Sequence, residues 1–387
     1  MILQHDLLIP EEDGTLGGTA SPENLLRLAA AAVQASARIL VGTESDSGFA
    51  RAAADIFCGG VAAMGGTAIF APNITLPALS VASDVWDTPL LLHIADNRLR
   101  LLEAGLLPLS ANVQHKLYQQ SSPQWLAPVQ FGDIITADGI QALFAARIRE
   151  RLPSTIPVLP EIGTGSAALE AEMTRVLRGG HGEMLTLQFS SDGRRLAVFS
   201  RDCGWIFHER LLLLICAEYF AHGKDVALPY WMPHAAEQLA AQYHRNVLRY
   251  ASCSDGSDAA ARDLAKQQGF TLSAALLCAD LLRMLAEKDT SLTERLAALP
   301  RCHTVRRIVS VAGDENNADT VKKWQNAHQA QQTDEGYLTD EPRGRALVRP
   351  SRSGKTVTLL AEAESMEAAS ELAGSICAEL ERLRTET

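Results

Sequence analysis

The chain lacks an excess of positive charge. Lys and Arg number 35 against 46 Asp and Glu, a formal net charge of -11 over 387 residues. That balance argues against nucleic acid and anionic membrane surfaces as partners, because both reward clustered Lys and Arg. It leaves room for a small anion held in a local basic pocket. No Cys-x-x-Cys pair occurs among Cys58, Cys203, Cys216, Cys253, Cys278, Cys302 and Cys377. Their odd number, scatter and placement in apolar runs such as LLLLICAEYF predict reduced, mainly buried thiols. No uncharged apolar run approaches the ~20 residues that span a bilayer. The opening MILQHDLLIPEEDG has acidic groups and no cationic lead-in to an apolar core, so no signal peptide is expected. A cytoplasmic location is the resulting expectation. The histidines form no His-x-x-x-His or Glu-x-x-His pair, and no Gly-x-Ser-x-Gly elbow is present, which removes the simplest zinc-helix and hydrolase readings.

What is there is an alternation of helix and strand patterns, in a chain long enough for several domains. SPENLLRLAAAAVQAS opens with Ser21 as a helix N-cap and Pro22 at the first helical position. RILVG, TAIFA and PLLLHIAD read as strands, with SGFARAAADIFCGGVAAMGG and TLPALSVASDVW as helices between them. Such alternation predicts parallel pairing. A polar stretch, HKLYQQSSPQW, reads as a lead into a second unit. There DGIQALFAARIRERL is a helix, IPVLPEI a strand and AALEAEMTRVLRGG a helix. QFSSDGRRLAVFSRDCGWIFHERLLLLICAEYF follows as strand, turn around Asp192 and Gly193, strand and helix. A third unit runs from KDVALPYWM through TLSAALLCADLLRMLAEK, and the chain ends strand, loop, strand, helix.

Two glycine motifs invite nucleotide readings. SRSGKT has Arg349 where a Walker loop needs its first glycine, and TVTLLAEAE after it alternates like a strand instead of opening a helix. GTGSAA follows a strand, but no acidic strand end stands about 20 residues on, so a structural turn is the better reading. His93, beside a strand end and near Asp96, is the histidine best placed for chemistry. RPSRSGK gathers Arg349, Ser351, Arg352, Ser353 and Lys355 in one loop between strands, a donor set suited to phosphate.

Taken in order, these segments resemble the α-D-phosphohexomutases, the phosphoglucomutases, phosphomannomutases and phosphoglucosamine mutases. DGTLGGTASPENLLRLAAA is similar to the family's opening loop and helix, SSDGRRLAVFSRDCGWIFHERLLLL to its metal-loop segment, and LVRPSRSGKTVTLLAEAES to its C-terminal phosphate loop. The resemblance implies an α/β fold of four domains around a cleft, three sheet domains and a small α+β C-terminal domain. The boundaries expected are 1–122, 123–222, 223–306 and 307–387. It also implies a phosphoserine nucleophile and a Mg2+ ion held by three aspartates.

The motifs depart from that pattern. The nucleophile position reads HIADNR and falls on Ala95, with His93 and Asp96 nearby. The metal loop falls on Ser190 to Arg195, where only Asp192 is a carboxylate and Arg194 replaces another outright. The opening-loop arginine falls on Thr19, and no sugar-loop counterpart stands between Tyr250 and Phe270. The C-terminal loop keeps Arg349 and Ser351 in register. The expectation is a catalytically impaired homologue, a pseudoenzyme of carbohydrate metabolism without a metal cofactor. It would bind a phosphosugar or phosphate anion, or a partner protein, another copy of itself included. The alternative is an active mutase or isomerase that uses His93, Asp96 or Asp192.

Overall fold

A computed structural model describes residues 7–11, 13–95, 98–119, 126–287, 291–310, 317–351 and 356–385. The chain divides into two compact units, Met1–Glu218 with Ser252–Ala297, and Tyr219–Ala251 with Ala298–Thr387.

The first unit opens as the sequence predicts. Ser21 Oγ accepts the backbone N–H of Asn24 at 3.2 Å and starts the helix Pro22–Ala35. That bond satisfies one of the amides a helix start leaves unpaired. A five-stranded sheet follows, in the order Arg98–Glu103, Leu90–Ala95, Arg38–Thr43, Thr67–Ala71, Ile134–Thr136. The last four strands are parallel, and their central members are apolar on both faces, as strands covered by helices must be. The first strand is antiparallel to its neighbour, which alters the all-parallel expectation. Ile134–Thr136 lies past residue 122 yet pairs with Thr67–Ala71 in this sheet. HKLYQQSSPQW also differs from a plain linker. Its first residues complete the helix Ala111–Tyr118, because Leu117 is fully buried in the core around Leu28, Val41 and Phe57.

A second sheet of the same unit runs Gly204–Ile206, Leu196–Ser200, Glu183–Phe189, Val158–Thr164, with only the last pair parallel. The turn between Glu183–Phe189 and Leu196–Ser200 falls at Asp192 and Gly193. Gly193 has φ +66°, and a Cβ there would meet Pro77 Cγ at 2.5 Å, so glycine fits this corner twice over. The Gly193 carbonyl accepts from Ala274 N–H at 2.9 Å, at the start of the helix Ala274–Ala286.

The second unit holds a parallel pair, Val226–Pro229 with Val247–Tyr250. It also holds an antiparallel sheet ordered His303–Ser310, Thr356–Ala363, Gly344–Pro350, Tyr337–Glu341, Gln331–Gln332. The helices Asn317–His328 and Met366–Thr385 bury Trp324, Val321 and Ile376 against Val348 and Leu359 of that sheet. Every second residue of Thr356–Ala363 is buried, so this segment is a strand, as its alternation predicts, and not the helix a P-loop requires. All seven cysteines are free thiols. Among the described residues, no helix is long and apolar enough to cross a membrane.

Candidate functional site

In the first sheet, Arg38–Thr43 leads to Thr67–Ala71 on one side, and the chain then crosses back to Leu90–Ala95 on the other. Ligands of open α/β sheets bind where the strand order reverses, outside the carboxyl ends of the strands. Here that point lies between Thr43 and Ala95. The backbone N–H of Glu44 bonds the Ile94 carbonyl at 3.0 Å and holds the two strand ends together. Ala95 is half-buried at this point. Asp96 lies outside the described residues.

His93 stands two residues earlier and is buried. Its Nε2 lies 3.1 Å from the Ile74 carbonyl and 3.9 Å from Glu44 Oε2. Burial pushes its pKa down to about 4, against the raising effect of the Ile74 bond. A neutral imidazole that donates to a carbonyl is a positioned core group. Sequence reasoning missed the groups beside it. Glu44 accepts from Ser166 Oγ, while Ser166 Oγ accepts Leu169 N–H at 3.3 Å and caps the helix Ala167–Val176. The bland strand-to-helix reading of GTGSAA is therefore the structural one. Further along that helix, Glu172 is buried, 3.5 Å from Thr75 Oγ1, and its Oε1 makes no hydrogen bond. Burial pushes its pKa up to about 7.

The Ser190–Arg195 turn is closed by its own side chains. Ser190 Oγ donates to Asp192 Oδ1 at 2.6 Å and accepts Arg195 N–H at 2.9 Å. Arg194 N–H donates to the same Asp192 oxygen at 3.2 Å. The other oxygen, Oδ2, accepts from Arg100 Nη1 at 2.8 Å. Arg100 faces His93 across the antiparallel hairpin, and its Nη2 also reaches Asp13 Oδ2 at 3.2 Å. Arg194 Nη1 donates to the Asp13 carbonyl at 3.3 Å, and Arg195 pairs with Glu209. Burial raises the Asp192 pKa, but the Ser190 bond and the charges of Arg100 and Arg194 outweigh it and hold the carboxyl below its ordinary range. Asp13 and Arg100 carry no motif, and only the pairing of distant strands brings them to Asp192.

In the second unit, Arg349 is the penultimate residue of the strand Gly344–Pro350 and forms an ion pair with Glu335. Ser351 closes the hairpin: its N–H bonds the Thr356 carbonyl at 2.7 Å, and its Oγ accepts Thr356 N–H at 3.0 Å. Arg352, Ser353 and Lys355 lie outside the described residues.

No family model matches the sequence, and no curated protein matches it. Solved structures do match over almost the whole length. A phosphoglucomutase/phosphomannomutase family protein from Burkholderia thailandensis has TM-score 0.71 at 15% identity, covering 99% of this chain and 98% of its own. The phosphoglucomutase pp63/parafusin of Paramecium, in its open form, has TM-score 0.64 at 11% identity, with 98% and 95% covered. The fold is that of the α-D-phosphohexomutases. One expectation is corrected by these phosphohexomutase neighbours. The resemblance ties the fold to Mg2+ chemistry, so an absence of any metal cofactor does not stand for this chain. The Ser190–Arg195 turn as arranged does not itself fit the ion. A divalent cation wants several oxygen ligands, and the turn offers one carboxylate already bonded to a guanidinium and a hydroxyl.

Proposed function

We propose that this phosphohexomutase-fold chain binds a phosphosugar and does not turn it over by a phosphoserine route. The observation that carries the reading is Ala95 at the strand end where the resemblance places the nucleophile. Phosphoryl transfer of that kind needs an oxygen to accept the phosphoryl group, and a methyl group offers none. The alternative, an enzyme built on His93, Asp96 or Asp192, gains no support from the described residues, since His93 is buried and Asp192 is bonded to Arg100, while Asp96 lies outside them. Binding is assigned to the Arg349 strand end, where a guanidinium can meet a phosphate through two parallel bonds and the Ser351 hydroxyl lies close in sequence.

The test is turnover and titration on the same preparation. Glucose 1-phosphate, mannose 1-phosphate and glucosamine 6-phosphate, each with Mg2+, should show no conversion after rigorous removal of host mutases. Calorimetry should show saturable binding of at least one of them. Arg349→Ala should weaken it by about 1.5–3 kcal/mol, tenfold or more. Persistent turnover overturns the impaired reading. Flat titrations with all three sugars overturn the ligand and leave a partner protein as the object of binding.

A further inference from the structure

The turn that brings Glu335 to Arg349 is shaped for that purpose. Thr333 locks it: its N–H and Oγ1 both donate to the Gly336 carbonyl, at 2.7 and 2.9 Å, and its Oγ1 accepts the Gly336 N–H at 3.1 Å. The turn then lies flush on the Gly344–Pro350 strand. A Cβ on Gly336 would stand 2.5 Å from the Val348 carbonyl oxygen and 3.1 Å from Arg349 Cβ, so glycine permits the approach. One residue earlier, the Glu335 side chain is only 3% exposed and is directed onto a guanidinium that is 15% exposed. A carboxylate this buried is retained where a cation compensates its lost hydration. The segment TDEG thus places a fixed negative charge on the one basic group of the RPSRSGK loop that the described residues include.

We propose that Glu335 is a built-in competitor for the phosphate subsite, an internal anion that an incoming phosphate ester must displace from Arg349. The inference rests on the binding function assigned to Arg349 above and adds to it the residue that sets affinity and selectivity. A carboxylate carries one charge, whereas a phosphate monoester carries about -1.5 to -2 at neutral pH. Glu335 therefore holds the guanidinium against singly charged anions and yields to a phosphate ester, whose sugar adds further contacts. When it is displaced, the carboxylate needs a second position, which rotation about its own side-chain bonds supplies while the Thr333-held backbone stays in place.

The experiment titrates inorganic phosphate and glucose 1-phosphate into the full chain and into Glu335→Gln, Glu335→Asp, Arg349→Ala and Glu335→Gln/Arg349→Ala. Glu335→Gln is expected to bind both at least tenfold more tightly. Glu335→Asp, which keeps the charge but withdraws it by one methylene, should gain a few-fold and guards against misfolding of the glutamine variant. The double variant should lose the gain entirely, which ties it to Arg349. Equal or weaker binding by both Glu335 variants, with saturable binding by the parent, overturns the competitor and leaves the binding function intact. Binding by Glu335→Gln alone supports the competitor and removes phosphosugar binding as the parent's function. No saturable signal in any variant overturns both.

Discussion

Arg100 and Arg349 both hold acidic partners, and they differ in what surrounds the acid. Arg100, in the first unit, is 7% exposed and lies between Asp13 and Asp192, whose side chains are 53% and 27% exposed. Arg349, in the second unit, is more open than Arg100, yet its partner Glu335 is nearly sealed. Water can rehydrate the first pair of carboxylates when the cation leaves, but it reaches the second poorly. The burial of the acid, more than that of the base, decides how strongly each pair resists being broken. It also separates their uses. The Arg100 network ties together segments far apart in sequence, and an anion there would have to displace two carboxylates. At Arg349 the competing carboxylate is that of Glu335.

The sharpest way to break the comparison is Arg349→Met. It takes the guanidinium from an almost buried carboxylate, and stability of the second unit should fall by about 3–5 kcal/mol in denaturant unfolding. Glu172 tests the same principle with a looser cation, Arg175 Nη2 standing 3.9 Å from its Oε1 without a hydrogen bond. Its folded pKa of about 7 lies above the ordinary 4.5, so the folded state holds the extra proton between those values. Its contribution is complete below pH 4.5 and is lost as pH rises to 7, about 3 kcal/mol in all. Glu172→Gln should flatten that part of the pH–stability profile, and an unchanged slope would refute the assignment. Arg100→Met should cost about 2 kcal/mol, less than Arg349→Met because Asp13 and Asp192 regain water. If the order of the two is reversed, burial of the acid is not the deciding term. The smallest effect belongs to His328, clamped between Glu341 at 2.8 Å and Glu379 at 2.7 Å. Burial pulls its pKa down, but the two carboxylates outweigh this and raise it above 6.5. The clamp stabilises fully below pH 6.5 and fades as pH climbs through the raised value. His328→Gln should remove that dependence.

Much of the fold was legible because its signals are local. Ser21 and Pro22 mark a helix start, and the alternation of TVTLLAEA marks a strand. The Asp192–Gly193 turn needed only a glycine at positive φ. The strand Arg98–Glu103 was hidden because RLRLLE follows its partner after only two residues and carries arginines on a pattern that reads as surface. With that strand went Arg100, and with Arg100 the reason Asp192 is engaged. The site was legible only in part for the same cause. Ala95 and Arg349 sit in register with recognisable segments, whereas Asp13, Glu44 and Glu335 reach their partners through sheet pairing and turn packing. Such juxtapositions have no signature along the chain. The same holds for Ala259–Gln268 and Ala274–Ala286, which no local signal ties to the first compact unit in which they lie.

That grouping bears on how the protein is made. Synthesis reaches Glu218 before the segment Ser252–Ala297 exists, yet the Leu196–Ser200 strand packs against the helix Ala274–Ala286 of that segment. At about 5–20 residues per second on the ribosome, the nascent second sheet waits several seconds with apolar side chains uncovered. The second unit meanwhile begins with Val226–Pro229 and Val247–Tyr250 and is interrupted before its C-terminal sheet is translated. Neither unit can be completed in sequence, nor released by a single cut. A fragment ending at residue 222 would leave the inner face of Leu196–Ser200 without its helix, and should aggregate more readily than the full chain.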